Sequence, residues 1–150
     1  MFGEDLKKAM IIEKEVAMRL LSTAIKNELD VLKIEFAPNK VWKDWDIKMI
    51  MNKDNREYER TYEVKNDMKS EETGNIWFEY MCNGKPSGIY ASKADYIVYK
   101  LGDDYWYSDR AGLLIKLNNV DKKSVDGWDG NNAKMYIVGK DKINLIFKKL

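Results

Sequence analysis

Between Trp45 and Asp67 apolar and charged residues alternate, and that alternation constrains the fold more than any other feature of the chain. Successive side chains of a strand point to opposite faces, so a period of two reads as strand. Val41, Trp45, Ile47, Met49 and Met51 share one face, and Asp44, Asp46 and Lys48 share the other. Asn52-Lys53-Asp54-Asn55 has the residues of a turn. Tyr58, Tyr62 and Val64 then alternate with Glu59, Thr61, Glu63, Lys65 and Asp67. The pattern predicts a hairpin with one apolar and one acidic face.

A helix precedes it. Ile12, Val16, Leu20 and Ala24 form one i, i+4 row, and Ala17, Leu21 and Ile25 form the next. Extending the second row back one step lands on Glu13. That glutamate is either a boundary residue snorkelling to solvent or a carboxylate aimed at a polar site. Glu15 and Arg19 fall on the polar side and read as a surface pair.

Beyond the hairpin, Thr73-Gly74-Asn75 marks a turn into a strand over Ile76 to Tyr80, and Asn83 to Gly88 reads as a loop. Ile89 to Asp95 is read as a short helix or turn. Tyr96 to Tyr99 reads as a buried strand, followed by Tyr105 to Tyr107. Ser108 or Asp109 is suited to cap a helix reaching Leu117. The polar stretch 121–132 reads as loop, Met135 to Val138 as strand, and Lys142 to Leu150 fits either strand or helix. The expectation is one α/β domain over residues 1–150.

Composition excludes several chemistries. The 150 residues contain no histidine, which removes His-containing metal sites and Ser-His-Asp or Cys-His catalysis. The one cysteine, Cys82, rules out an internal disulfide and a Cys-based zinc site, and reads as a small strand hydrophobe. With 45% hydrophobic and 34% charged residues the chain is a soluble folding type. It has no apolar run long enough to span a bilayer. Met1 to Lys8 lacks the apolar core of a signal peptide, so a cytoplasmic location is expected. A net charge of +1 neither favours nor excludes nucleic acid, because an acidic centre offsets basic residues in the total.

In Glu63-Val64-Lys65 the glutamate and lysine share a strand face, and Asp46 lies on the preceding strand. Such a pattern on a solvated strand is an ordinary cross-strand charge pair. Two acids beside a lysine also form what Mg²⁺-assisted phosphodiester hydrolysis needs: oxygen ligands for a hard cation and a positive group for water and phosphate.

The order of a helix with Glu13, a strand with Asp46 and a strand with Glu63 and Lys65 resembles the PD-(D/E)XK nuclease superfamily. Glu13-x-x-Val16-x-x-x-Leu20 is similar to the helix of its Holliday-junction-resolvase-like members. A longer likeness covers residues 13–99. It joins Tyr62-Glu63-Val64-Lys65-Asn66-Asp67, Thr73-Gly74-Asn75-Ile76-Trp77-Phe78-Glu79, Ser87-Gly88-Ile89 and Ala94-Asp95-Tyr96, and it resembles small phage-encoded nucleases.

The resemblance implies a restriction-endonuclease-like mixed β-sheet flanked by helices, with the hairpin carrying the site. It implies Mg²⁺ or Mn²⁺ held by Asp46 and Glu63, with the Val64 carbonyl and Glu13 in support, and Lys65 acting on the attacking water. Trp45 stands where the superfamily pattern has proline, which leaves Asp44 as a rival ligand. Lys85, Ser87, Lys93 and Glu79 are the expected substrate contacts, each also readable as a solvated residue. Trp77, Trp106 and the tyrosines could stack on bases, although their alternation favours core packing. The implied partner is DNA, with a symmetric dimer suited to cutting two strands. A junction resolvase, a non-catalytic DNA-binding module and a viral assembly protein are the alternatives.

Overall fold

The computed structural model describes residues 2–39, 42, 44–126 and 132–150, so Val41 and residues 127–131 of the expected polar loop lie outside the described residues. The first helix, α1 (Phe2–Lys26), has Glu4 and Asp5 in its first turn and Lys26 in its last, matching the helix dipole. It ends in a Schellman turn: Glu28 takes φ +58°, Leu29 N–H donates to the Ala24 carbonyl at 2.9 Å, and Glu28 N–H to that of Ile25 at 3.1 Å. Val16, Ala17, Leu20 and Ala24 are buried as the helical period requires, whereas Ile25 is exposed.

The strand β1 (Asp30–Phe36) follows at once, although no period of two marks it in the sequence. Its pairing with β2 (Ile47–Lys53) shifts register between Val31 and Lys33. Such a bulge puts Val31 and Ile34 on the core side three positions apart and erases the period of two. The expected hairpin is formed by β2 and β3 (Arg56–Asp67), in register from Ile47↔Tyr62 to Lys53↔Arg56. Asp54 and Asn55 both take positive φ, 54° and 63°, as a two-residue turn matched to strand twist demands.

The remaining elements are α2 (Ser70–Thr73), β4 (Asn75–Cys82), β5 (Lys85–Pro86), β6 (Tyr96–Leu101), β7 (Asp104–Asp109), α3 (Arg110–Asn119), β8 (Lys123–Asp126), β9 (Ala133–Gly139), a 3-10 turn (Lys140–Lys142), α4 (Ile143–Ile146) and β10 (Lys148–Lys149). A six-stranded sheet has the order β1-β2-β3-β6-β7-β10, and a four-stranded sheet the order β5-β4-β9-β8. β3 and β6 are parallel and every other paired neighbour is antiparallel, so the larger sheet is mixed. The class is α/β, with a mixed sheet flanked by helices.

Several expectations are corrected. Part of the Asn83–Gly88 loop is β5 and residues 123–126 of the polar stretch are β8, whereas residues 89–95 take the turn of the two forms expected there. The Lys142–Leu150 segment is a helical turn followed by a short strand. Asp109 is the cap of α3, its carboxylate accepting from Gly112 N–H at 2.7 Å.

Two cores lie on opposite faces of the larger sheet. On one, α1 packs over Ile47, Met49, Met51, Tyr62, Val98 and Tyr105. On the other, Ile97, Tyr99 and Leu101 meet Ile76 and Phe78 of β4, Val138 of β9, and α3 and α4. Asp67 joins the sheets. It is 9% exposed rather than on a solvated face, and its carboxylate accepts from Trp77 N–H at 2.9 Å and Lys69 N–H at 3.1 Å. Glu15 also departs from expectation: it accepts the Tyr105 hydroxyl, while the Arg19 guanidinium lies 4.6 Å from the same ring.

Candidate functional site

The site forms where β2 stops at Ile47 and β3 runs on to Asp67. Beyond Ile47 the edge of β3 that faced β2 is no longer paired strand to strand. Asp46 occupies that place: its own N–H donates to the Tyr62 carbonyl at 2.9 Å, and its Oδ2 accepts from Val64 N–H at 2.7 Å. A strand residue directs its N–H and C=O to one edge, so the Val64 carbonyl projects on the Asp46 side as well.

Glu63 and Lys65 pair with Ile97 and Tyr99 of β6 and share their face, opposite α1. Lys65 Nζ lies 2.9 Å from Glu63 Oε1, and the buried Ser92 hydroxyl donates to Glu63 Oε2 at 3.4 Å. Glu63 is largely covered, with 15% of its side chain exposed against 37% for Lys65. Glu13 approaches from the α1 side, one turn before Ala17, and lines with Asp46 a cavity of about 360 Å³.

Three elements therefore bring Glu13, Asp46, Glu63 and Lys65 together, and the carboxylates act on one another. Burial first, then Asp46 and Glu63, push the Glu13 carboxyl up to about 7. Burial and the Glu63 charge raise Asp46 to about 6, against the opposing pull of the Val64 N–H and Lys65. A cation between these groups would lower both carboxyls again, its charge offsetting their mutual repulsion. The donors are all oxygen, which suits a hard divalent ion. Among the described residues no three acidic or cysteine side chains stand close enough to enclose a metal.

The other expected residues divide. Asp44 turns outward, its carboxylate 3.5 Å from Lys93 Nζ, so of the two aspartates Asp46 is the one in the cluster. Glu79 lines a second cavity together with Lys65. Lys85 is exposed on β5, opposite Cys82. The Ser87 hydroxyl is turned inward, buried and without a hydrogen-bond partner among the described residues. Trp106 packs against the core beneath Lys149, and Cys82 is half-buried at the end of β4.

Two contributors have no signal in the sequence period. Ser92 braces Glu63 from a loop, and Arg110 fastens that loop by donating to the carbonyls of Ile89 at 3.1 Å and Tyr90 at 3.0 Å.

Among solved structures the chain resembles D212, a nuclease from a fusselovirus, with a TM-score of 0.56 and 12% identity, over 97% of this chain and 87% of that one. The likeness is one of fold. No protein-family model matches the chain, and no curated protein matches it either. Among the described residues no helix is long and apolar enough to cross a membrane.

Proposed function

We propose that the chain is a divalent-metal-dependent deoxyribonuclease of the PD-(D/E)XK kind, one domain over residues 1–150, hydrolysing phosphodiester bonds of viral or mobile-element DNA. The observation that carries this reading is the convergence of Glu13, Asp46 and Glu63 from three elements beside Lys65, with Glu13 raised to about 7 and Asp46 to about 6. Half-buried carboxylates that repel one another are a poor way to stabilise a fold and a good way to prepare a site. The nuclease fold of D212 supports the same reading.

Asp46 and Glu63 would hold Mg²⁺ or Mn²⁺, with the Val64 carbonyl and Glu13 as further oxygen donors, and the ion would supply charge to the phosphate and acidity to water. The residues of the chain do the rest. Glu63 fixes the Lys65 ammonium at 2.9 Å, and Ser92 fixes Glu63 in turn. Lys65 thereby presents a positive group where charge develops on the phosphate oxygens, and orients the water that attacks phosphorus. As the new P–O bond forms and the bond to the leaving oxygen breaks, Glu13, which lines the cluster from α1 beside Asp46, is suited to hold that water by a hydrogen bond, and the leaving oxygen takes its proton from solvent.

The test is direct. Purified protein with Mg²⁺ or Mn²⁺ is expected to cut DNA, and Lys65→Ala or Asp46→Ala to lower the rate by about 100-fold or more. Equal rates in wild type and both variants would refute the assignment.

A further inference from the structure

The hydrolytic reading leaves one cavity beside Lys65 without a role. It holds about 320 Å³ between the two sheets, and Lys65, Lys69, Trp77, Glu79, Tyr99 and Met68 contribute to its walls. That volume sits at the small end of ligand sites and suits a single flat group.

Its chemistry is divided. Trp77 and Tyr99 supply aromatic surface and Met68 a thioether. Met68 is 79% exposed. Lys65 and Lys69 bring two ammonium groups to the same opening, and Lys69 Nζ stands 5.7 Å from the Trp77 ring centre. The Glu79 carboxylate adds an acceptor.

The wall beside Glu79 is built closely. Gly88 takes φ +51°, and a Cβ there would stand 2.2 Å from the Glu79 carbonyl oxygen. Ile89 N–H donates to that same oxygen at 3.1 Å. Glycine lets the loop press onto β4 and shape the cavity. A flat heterocycle carrying phosphate is the ligand class that uses aromatic wall, acceptor and cationic rim together.

Resting on the nuclease reading of Glu63 and Lys65, we propose that this cavity receives an unpaired base of the nucleotide adjoining the phosphate at Lys65. A base still paired and stacked in duplex cannot enter it. The substrate class is therefore DNA with a single-stranded tail at the cut, rather than intact duplex. Trp77, which its alternation on β4 suggests is a core residue, becomes a stacking surface. It is half-buried, unlike its fully buried neighbours Ile76 and Phe78.

The probes are a DNA hairpin with a single-stranded tail and the same hairpin made blunt. In EDTA, the tailed hairpin is expected to quench tryptophan emission of the wild type, and Trp77→Phe to lose most of that quench while keeping affinity. With Mn²⁺, the wild type is expected to cut the tailed form about 10-fold faster than the blunt form, and Trp77→Ala to bring that ratio close to one. Met68→Ala, at an exposed position that folding tolerates, is expected to lower the same ratio about 3-fold.

Cutting with a ratio that neither substitution alters would overturn the base site and leave the nuclease reading intact. Trp77-dependent quenching in a protein that cuts nothing would keep the base site and remove the nuclease reading. A tail-independent quench would overturn the base site on its own.

Discussion

The charge crowding at Asp46 makes a prediction that separates function from stability: Asp46→Asn abolishes cutting and makes the metal-free protein more stable. Burial and Glu63 lift the Asp46 carboxyl from 3.8 to about 6, so the native state holds a proton that the unfolded chain releases. A group raised in this way contributes stability below about pH 4, and that contribution is lost as pH climbs through about 6. At pH 8 the full displacement corresponds to about 3 kcal/mol. Asp46 keeps some solvent contact, so screening reduces the usable part to about 1–2 kcal/mol. Asparagine removes the charge and leaves an amide oxygen for the Val64 N–H, now 2.7 Å from Oδ2. The gain is therefore kept, less the weaker bond of a neutral acceptor.

Urea melts in EDTA at pH 8 and pH 4 measure it. Asp46→Asn is expected to exceed wild type by about 1–2 kcal/mol at pH 8, or about 3–7 °C in Tm for a chain of this size, and to match it at pH 4. Millimolar Mn²⁺ is expected to close the gap at pH 8 by stabilising the wild type alone. A variant no more stable than wild type at pH 8, or equally stabilised at both pH values, would show that the carboxylates are not crowded as the geometry requires.

Asp67→Ala is expected to destabilise by about 2–4 kcal/mol in urea titration, because it strands the N–H groups of Trp77 and Lys69 where the two sheets meet. Asp67→Asn, which retains one acceptor oxygen, is expected to lose less, and equal losses would contradict the bridging role. Gly88→Ala combines a positive φ of 51° with a Cβ placed 2.2 Å from the Glu79 oxygen, so a Tm lower by about 5 °C or more is expected by calorimetry. An unchanged Tm would mean that the loop moves away from β4 freely.

What the sequence disclosed followed periodicity. The β2–β3 hairpin, the buried row on α1 and the Asp109 cap are local features, and each leaves a repeat or a residue signature. Glu13 was legible as an interruption of an apolar row, although only the fold decides that its neighbours there are Asp46 and Glu63. What escaped was non-local or irregular. β1 was lost because a bulge breaks its alternation. The division into two sheets was lost because β4 has the same period whether it extends the first sheet or covers it. That division decides the environment of Glu63, Lys65 and Asp67, which read as a solvated acidic face and in fact point toward a second layer.

The unequal lengths of the two hairpin strands explain why the acids gather where they do. Had β2 continued beside β3 as far as Asp67, the Val64 N–H and carbonyl would be spent on a ladder, and Asp46 would have no backbone donor to fasten it. Ending β2 at Ile47 exposes that edge, while β6 pairs the other edge from Tyr62 to Asp67 and keeps it straight. An open edge on a rigid strand lets Asp46 bind Val64, lets Glu13 approach from α1, and leaves Glu63 and Lys65 facing the cavity under β4. The acidic cluster and the neighbouring cavity are thus two sides of one strand end. On the proposed nuclease reading, a phosphate at Lys65 would have carboxylates on one side and an aromatic slot on the other, and the point at which β2 gives way to Asp46 would govern both where a bond is cut and which nucleotide stands next to it.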